Sequence, residues 1–259
     1  MEKQAGTWGD KIMETYCKTV KTCGISEEEV KAKLKEIDKE YFNDAKVEVG
    51  VSDYETYISV SGEGSDESDA KKKIKPLVKE IKNVLGNSIY STEKDVTLEK
   101  SLVDLLVANE LTISVVESCT GGMLSSTLVD VPGVSSVYKM GVVSYSNKAK
   151  KKIINVKKST LDKYGAVSSQ TAEEMVKGMS ALSKSDVVLS TTGIAGPDGG
   201  TDKKPVGLVY VGCFVCGKVK TKECHFSGNR TEIRQQAVKE ALVLARECVL
   251  KYVSEKMFK

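Results

Sequence analysis

The first third of the chain combines helical and strand-like hydrophobic patterns. Ser26-Glu27-Glu28-Glu29 is a capping box that predicts a helix through Asp38. Two alternating runs at 46–51 and 55–61 predict a hairpin. An amphipathic stripe predicts a helix over 65–85, and a short strand is predicted at 88–90. This order is typical of a small α+β module, which we assign to residues 16–92 behind a polar tail at 1–15.

From Thr97 onward, strand patterns and helix patterns alternate along the chain. Strands are predicted at 112–116, 140–144, 186–192, 206–216 and 219–226, and helices at 98–108, 123–129, 148–154, 171–182 and 231–253. Such alternation predicts a three-layer α/β/α domain over 97–259. Because only Gly217 and Lys218 separate the last two strands, they should pair as a hairpin, so the sheet must be mixed.

One segment of this second part carries candidate nucleophiles. Residues 111–123 read LTISVVESCTGGM, a short apolar strand that runs into Glu-Ser-Cys-Thr-Gly-Gly and then into a helix pattern. A strand-to-helix turn holds a hydroxyl or thiol rigid, and the N–H groups of the helix start are expected to point at an anion or oxyanion. Ser118 and Cys119 are both candidates on these grounds.

The scarcity of histidine narrows the chemistry. His225 is the only histidine, which excludes multi-histidine metal sites, and its alternating surroundings suggest a strand residue rather than the base of a Ser-His-Asp triad. A reactive serine would need another base, and lysine is the usual substitute when burial or a neighbouring cation lowers its pKa.

The cysteines and the charge pattern indicate a reduced, anion-binding protein of the cytoplasm. Seven cysteines do not form a secreted disulfide framework, and Cys213 and Cys216 lie three apart in a strand pattern, where they face opposite sides. We therefore expect no metal and no cofactor.

The longest apolar run, 206–216, is too short to span a bilayer. Residues 1–96 carry 16 basic and 20 acidic residues, a net −4, and the rest carry 23 and 16, a net +7, which favours anionic ligands there.

Seven ordered motifs in the second part resemble the carboxy-terminal domain of the CinA family, the nicotinamide mononucleotide deamidase. They are ESCTGG at 117–122, VPGVS at 131–135, GVVSYSNKAK at 141–150, GAVS at 165–168, TGIAGPDGGT at 192–201, KPVG at 204–207 and SGNR at 227–230. Residues 24–27 and 85–90 are similar to the KH-like middle domain of that family. The family's amino-terminal domain, which resembles molybdopterin-binding folds, has no counterpart here, so the chain is either a natural short form or a fragment.

This resemblance implies hydrolysis of the carboxamide of nicotinamide mononucleotide to nicotinic acid mononucleotide and ammonia. It implies Ser118 as nucleophile and Lys150 as base, supported by Tyr145 and Thr192. The expected substrate-binding residues are Gly121, Gly122, Asn147, Gly193 and Arg230. Family members are similar in forming homo-oligomers, so a homo-oligomer is expected, with no membrane partner and no nucleic-acid partner.

Two alternatives compete with this interpretation. Cys119 is intrinsically the better nucleophile, although neighbours in a tight turn point apart and only one of the pair can face a substrate. The second alternative is a non-catalytic binding or scaffold protein that uses the KH-like module. A KH domain clamps nucleic acid with a GxxG loop, and the nearest candidate, Gly62-Glu63-Gly64-Ser65, lacks the final glycine.

Overall fold

The computed structural model describes residues 13–257, and the chain divides into two compact units with the boundary between Val96 and Thr97 in the sequence. Each unit has its own sheet and its own helices. Within residues 13–257, no helix combines the length and apolar character needed to cross a lipid bilayer.

The first unit is an α+β fold with an antiparallel sheet. Its elements are β1 (Glu14–Thr22), α1 (Glu27–Leu34), β2 (Lys46–Ser52), β3 (Glu55–Gly64), α2 (Glu67–Leu85) and β4 (Ile89–Ser91). In the described residues the strand order is β2-β3-β1-β4. The hairpin of β2 and β3 is present, with Val49 opposite Ile58. Helix α2 packs on β3 and β1.

The local sequence explains these elements. Every second residue of β3 is buried from Thr56 onward, which is the pattern of a strand with one face on a core. Helix α2 buries Ile74, Leu77 and Ile81 on one face against that strand. The capping box predicted at Ser26 is present, because Ser26 Oγ accepts from Glu29 N while Glu29 accepts from Ser26 N.

The largest differences from the prediction in the first unit concern β1, which was not predicted, and the end of α1. The prediction of a tail at 1–15 is wrong at its end, because β1 begins at Glu14, and residues 1–12 lie outside the described residues. The pattern of β1 is hard to recognise because its more buried face mixes Tyr16, Lys18, Val20 and Thr22. Helix α1 ends at Leu34 instead of Asp38, because Asp38 caps a following 3-10 turn.

The candidate GxxG segment of the first unit is part of a strand. Gly62 and Gly64 belong to β3 and pair with Tyr16 and Glu14 of β1. Both glycines lie against α2, where a Cβ on Gly62 would come within 2.5 Å of Ile74 Cγ2. These glycines therefore permit close helix packing, and they do not form an open loop that could clamp a nucleic-acid backbone.

The second unit contains a mixed sheet with helices on both faces. Its elements are α3 (Leu98–Ala108), β5 (Ile113–Glu117), α4 (Met123–Val129), β6 (Tyr138–Val143), α5 (Asn147–Ile154), α6 (Lys158–Tyr164), α7 (Ser169–Ser183), β7 (Val187–Gly193), β8 (Leu208–Val215), β9 (Lys218–His225) and α8 (Arg230–Met257). Over the described residues the strand order is β6-β5-β7-β8-β9.

The predicted fold class is confirmed by this topology. Strand β5 is parallel to β6 and β7, whereas β7, β8 and β9 are antiparallel, so the sheet is mixed and the last two strands form the expected hairpin. Helix α7 packs against β7 and β8, and α8 packs against the same two strands. Strands β5 and β7 are buried almost throughout, as expected for central strands covered on both faces.

The prediction missed one helix and shifted several strand ends. Helix α6 has only seven residues and buries Thr160 and Leu161, which is too short to produce a recognisable helical period. Strand β5 begins and ends one residue later than predicted, so Glu117 is its last residue. This shift places Glu117 inside the sheet, with Ser118 at the first position of the turn.

We predict that Gly62→Ala destabilises the first unit by about 1–3 kcal/mol, because the added methyl group has to displace Ile74. Urea unfolding measures this change. Glu63→Ala, at the exposed position next to it, is the control and should change the free energy of unfolding by less than about 0.5 kcal/mol. If both variants were equally stable, the close packing of Gly62 on α2 would be contradicted.

Candidate active site

A tight turn connects the carboxyl end of β5 to α4. Gly121 and Gly122 adopt positive φ angles of 60° and 99°, which glycine tolerates without a Cβ penalty, and α4 begins at the next residue. Ser118 N donates to the carbonyl of Thr191 in β7, at 2.9 Å. The first residue of the turn is therefore fixed to the neighbouring strand.

The start of α4 is occupied by a carboxylate of the protein itself. Glu117 is fully buried, and its Oε2 accepts from the N–H groups of Gly122 at 2.9 Å and Leu124 at 3.0 Å. Its Oε1 accepts from Ser125 N at 2.9 Å and Ser125 Oγ at 2.5 Å. The expectation that these helix-start N–H groups point at a ligand is wrong, because Glu117 already uses them.

Lys150 lies beside Ser118 in the interior. Its Nζ is 2.8 Å from Ser118 Oγ, 2.8 Å from the carbonyl oxygen of Ser144 and 3.4 Å from that of Tyr145. The side chain is completely buried, whereas Lys148, Lys151 and Lys152 of α5 are exposed. Ser146 caps the first turn of α5 and so fixes where the helix begins. Lys150, the fourth residue of the helix, then lies on its buried face together with Ile154.

Burial lowers the pKa of Lys150 from 10.5 to about 8 because a charged ammonium loses its hydration there. The neutral amine of Lys150 can donate its two N–H bonds to the carbonyl oxygens of Ser144 and Tyr145. Its lone pair then faces the hydroxyl of Ser118. This arrangement can remove the proton of Ser118 near neutral pH.

Cys119 has the opposite environment. Its thiol is buried, and burial raises its pKa to about 11. The thiolate is the reactive form of cysteine, so Cys119 is almost wholly in its unreactive form at neutral pH. The contact of Lys150 Nζ with Ser118 Oγ and the raised pKa of Cys119 both favour Ser118 as the nucleophile.

Two threonines of β7 support the site in different ways. Thr191 Oγ1 is 2.7 Å from Thr120 Oγ1, which in turn donates to Glu117 Oε2 at 2.7 Å. Thr192 is buried, and its Oγ1 donates to the carbonyl of Ala166 at 2.7 Å. The hydroxyl of Thr192 thus holds the loop at 165–168, and its hydrogen bond is not directed at Ser118 or Lys150.

The same loop is fastened from the other side by a lysine. Lys204 Nζ donates to the carbonyl oxygens of Tyr164 and Val167, both at 2.6 Å. Two motifs that are far apart in sequence, at 165–168 and 204–207, are therefore joined directly.

Arg230 and Tyr145 form a polar group at the surface. Arg230 Nη1 donates to the carbonyl of Gly196 at 2.7 Å, and its Nη2 lies 3.3 Å from the hydroxyl of Tyr145. Tyr145 is 61% exposed, so its phenol can meet a ligand while its carbonyl contacts Lys150. Asn147 is exposed at the first position of α5, and Gly193 ends β7 opposite Val209.

Sequence reasoning assigned no role to Glu117, Thr191 or Arg234. Arg234 lies one turn after Arg230 in α8, and its Nη2 donates to the carbonyl of Thr120 at 2.6 Å. The i, i+4 spacing between Arg230, the last residue of SGNR, and Arg234 was a usable signal for this residue. Glu117 had a signal only in its position before the turn, because its partners are mostly backbone N–H groups.

The cysteine pair of the CxxC motif is separated by burial. Cys213 is buried in β8, whereas Cys216 is exposed in the turn after it. Among residues 13–257, no cluster of three or more histidine, cysteine, aspartate or glutamate side chains is arranged to hold a metal ion.

Comparison with known families covers both units. The model of the CinA C-terminal domain matches residues 95–249. The model of the damage-inducible protein CinA KH domain matches residues 17–91.

Curated relatives extend the similarity over most of the chain. A putative competence-damage inducible protein of Clostridium novyi is 47% identical over 237 residues, which are 91% of this chain and 57% of the relative. A CinA-like protein of Dictyoglomus turgidum is 41% identical over 235 residues, with the same shares of 91% and 57%. The chain thus spans a little over half the length of these relatives.

Solved structures are similar over a smaller part of the chain. The competence/damage inducible protein CihA from Agrobacterium tumefaciens is 38% identical with a TM-score of 0.56, and the match covers 58% of this chain and 93% of that one. A competence-damaged protein (CinA) superfamily protein from Escherichia coli is 33% identical with a TM-score of 0.56, covering 64% and 98%.

The buried lysine predicts a pH-dependent stability. In the folded state Lys150 loses its proton near pH 8, whereas in the unfolded state it keeps the proton up to about pH 10.5. The unfolded state therefore binds more protons between these values, and stability rises with pH across that window. We expect the free energy of unfolding to gain about 3 kcal/mol between pH 7.5 and 10.5, relative to Lys150→Met.

Urea unfolding of both proteins across this pH range measures the effect. The difference between them removes the contributions of the cysteines and tyrosines that titrate in the same range. Parallel pH profiles for the two proteins would contradict the lowered pKa of Lys150.

Proposed function

Because the chain belongs to the CinA family, we propose that its second unit hydrolyses the carboxamide of nicotinamide mononucleotide to nicotinic acid mononucleotide and ammonia. The observation that carries the proposal is the 2.8 Å contact between the buried Lys150 Nζ and Ser118 Oγ. An amidase needs an activated nucleophile and a group that protonates the departing amine. One buried lysine next to one serine supplies both.

In the first half of the reaction, neutral Lys150 takes the proton of Ser118 as Oγ attacks the carboxamide carbon. The carbonyl oxygen becomes an oxyanion. Lys150 then gives its proton to the nitrogen of the breaking C–N bond, and ammonia leaves. The product is an ester between Ser118 and the nicotinoyl group, with the lysine neutral again.

In the second half, water attacks that ester while Lys150 accepts a proton from the water. The same proton returns to Ser118 Oγ as the ester bond breaks, and nicotinic acid mononucleotide leaves. Each half of the reaction thus moves one proton onto Lys150 and off again. The pKa of about 8 suits both steps at neutral pH.

The turn after Ser118 is the proposed oxyanion site. The N–H groups of Ser118, Gly122 and Leu124 are already used by Thr191 and Glu117. The N–H groups of 119–121 are the candidate donors in the turn, although those of Cys119 and Thr120 also contact the Cys119 thiol. Gly122 is proposed to shape the turn without donating to the oxyanion. One such donor typically lowers an acyl-transfer barrier by about 3 kcal/mol.

Arg230 and Tyr145 are the proposed contacts for the nucleotide's phosphate. The guanidinium and the phenol lie together at the surface, and both can donate to phosphate oxygens. Thr192 is assigned a positioning role, because its hydroxyl fixes the 165–168 loop. Asn147, Gly121 and Gly193 are proposed to line the substrate site, by family resemblance alone.

We extend the proposal to a homo-oligomer in the cytoplasm, in line with the family resemblance, and light scattering of the purified chain tests the oligomer. The alternative function, a non-catalytic binding or scaffold protein that uses the KH-like module, has less support where its ligand is nucleic acid. Its candidate clamp, from Gly62, is a strand packed on α2.

We predict that the purified chain releases ammonia from nicotinamide mononucleotide, in the presence or absence of a chelator. Ser118→Ala should lower this release by about 10³-fold or more, because the nucleophile is lost. Cys119→Ser should keep it within about tenfold. The measurement is ammonia formed per enzyme, with nicotinic acid mononucleotide identified as the second product.

The paired variants also decide between the two nucleophiles. Loss of activity in Cys119→Ser together with an active Ser118→Ala would assign the chemistry to the thiol. No release by the unmodified chain would contradict the proposed function itself.

A further inference from the structure

The side chain of Glu117 accepts five hydrogen bonds from the described residues. Beyond the N–H groups of Gly122, Leu124 and Ser125, its carboxylate accepts from the hydroxyls of Thr120 and Ser125. Every donor belongs to the turn after Ser118 or to the first turn of α4. Because the carboxylate is fully buried among these donors, its position is fixed, and its hydrogen bonds in turn fix the positions of the residues that donate them.

We propose that Glu117 is a positioning residue whose carboxylate occupies the start of α4 and fixes the turn from which Ser118 acts. Glu117 directly precedes the proposed nucleophile in the chain, and its side chain contacts the residues at the far end of the turn. The chain from 117 to 125 is thereby closed into a loop with Ser118 and the N–H groups of 119–121 on its path. The kinetic consequence of this inference rests on the proposed function.

The network extends to the neighbouring strands and to α8. Thr120 Oγ1 joins Glu117 to Thr191 of β7, and Arg234 holds the carbonyl of Thr120. The carbonyl of Glu117 also accepts from Ser144 N at 2.8 Å, and Ser144 supplies the carbonyl that accepts from Lys150. Glu117 is therefore connected to the nucleophile through the chain and to the base through Ser144.

Glu117→Gln is the sharpest test because it keeps the size of the side chain. A carboxamide has only one oxygen that can accept, so its NH2 group would face N–H groups that are also donors, and the hydrogen bonds on one side would be lost. We expect kcat to fall about 100-fold, the scale of losing one oxyanion donor, with KM within about twofold. Hydrogen exchange of the amides at 118–125 should accelerate at least about tenfold, while amides at 208–225 keep their rates.

Glu174→Gln is the matched control in the same unit. Glu174 also accepts from a backbone N–H, that of Lys157 at 2.8 Å, and from a hydroxyl, that of Thr160 at 2.7 Å. Its loss should lower the melting temperature without changing kcat at 25 °C. If Glu117→Gln behaved in the same way, with unchanged kcat or with faster exchange throughout the unit, Glu117 would be merely structural and the inference would be wrong.

Single-hydroxyl variants keep the test decisive if Glu117→Gln does not fold. Thr120→Val removes a donor inside the turn and should lower kcat about tenfold or more. Ser125→Ala removes a donor in α4 and should change kcat less than about threefold, because Ser125 N still holds the carboxylate. Equal effects of the two variants would overturn the inference.

The exchange measurement separates this inference from the proposed function. If the unmodified chain released no ammonia from nicotinamide mononucleotide, the proposed function would fail. Exchange at 118–125 in Glu117→Gln, or in Thr120→Val, would then decide the positioning role alone. Unchanged exchange there would overturn it, whatever the substrate of the site.

Discussion

The candidate active site of the second unit depends on the burial of one lysine against one serine. A charged ammonium with no exposed surface loses most of its hydration, and three oxygen atoms around Lys150 Nζ replace only part of it. Burial therefore lowers the pKa of Lys150 to about 8, so near neutral pH a larger fraction of Lys150 than of an exposed lysine is the neutral amine, which is the form that can accept a proton. Two backbone carbonyls fix the direction of that amine, so its lone pair has one partner, Ser118. The site thus places an amine that can act as a base next to a serine, in a chain whose only histidine, His225, is exposed at the end of β9.

A second side chain, that of Glu117, is fully buried at the start of α4. Its carboxylate accepts hydrogen bonds from N–H groups and hydroxyls of the turn after Ser118 and of the first turn of α4. These contacts tie the turn to the helix that follows it. Gly121 and Gly122 adopt the positive φ angles of the turn that returns to this carboxylate.

Much of this could be read from the sequence. The helices at Leu98–Ala108 and Met123–Val129 have the predicted bounds, and the hairpin and mixed sheet followed from the two-residue spacing at Gly217. Strand β1 was missed because lysines and threonines blur its alternation, and α6 because seven residues are too few for a period. At the site, motif order suggested Ser118 and Lys150. The role of Glu117 was not predictable, because most of its partners are backbone N–H groups whose positions exist only in the folded chain, whereas Arg234 had a signal in its spacing from Arg230.

The titration of Lys150 itself tests the central claim most directly. With lysine labelled by ¹³C at Cε, the signal of Lys150 is assigned by its disappearance in Lys150→Met, and its chemical shift is followed from pH 6 to 11. We expect a midpoint near pH 8 for this residue, caused by burial beside Ser118, whereas the usual pKa of a lysine side chain in water is about 10.4. A Lys150 midpoint at or above that usual value would contradict a neutral lysine base in this site.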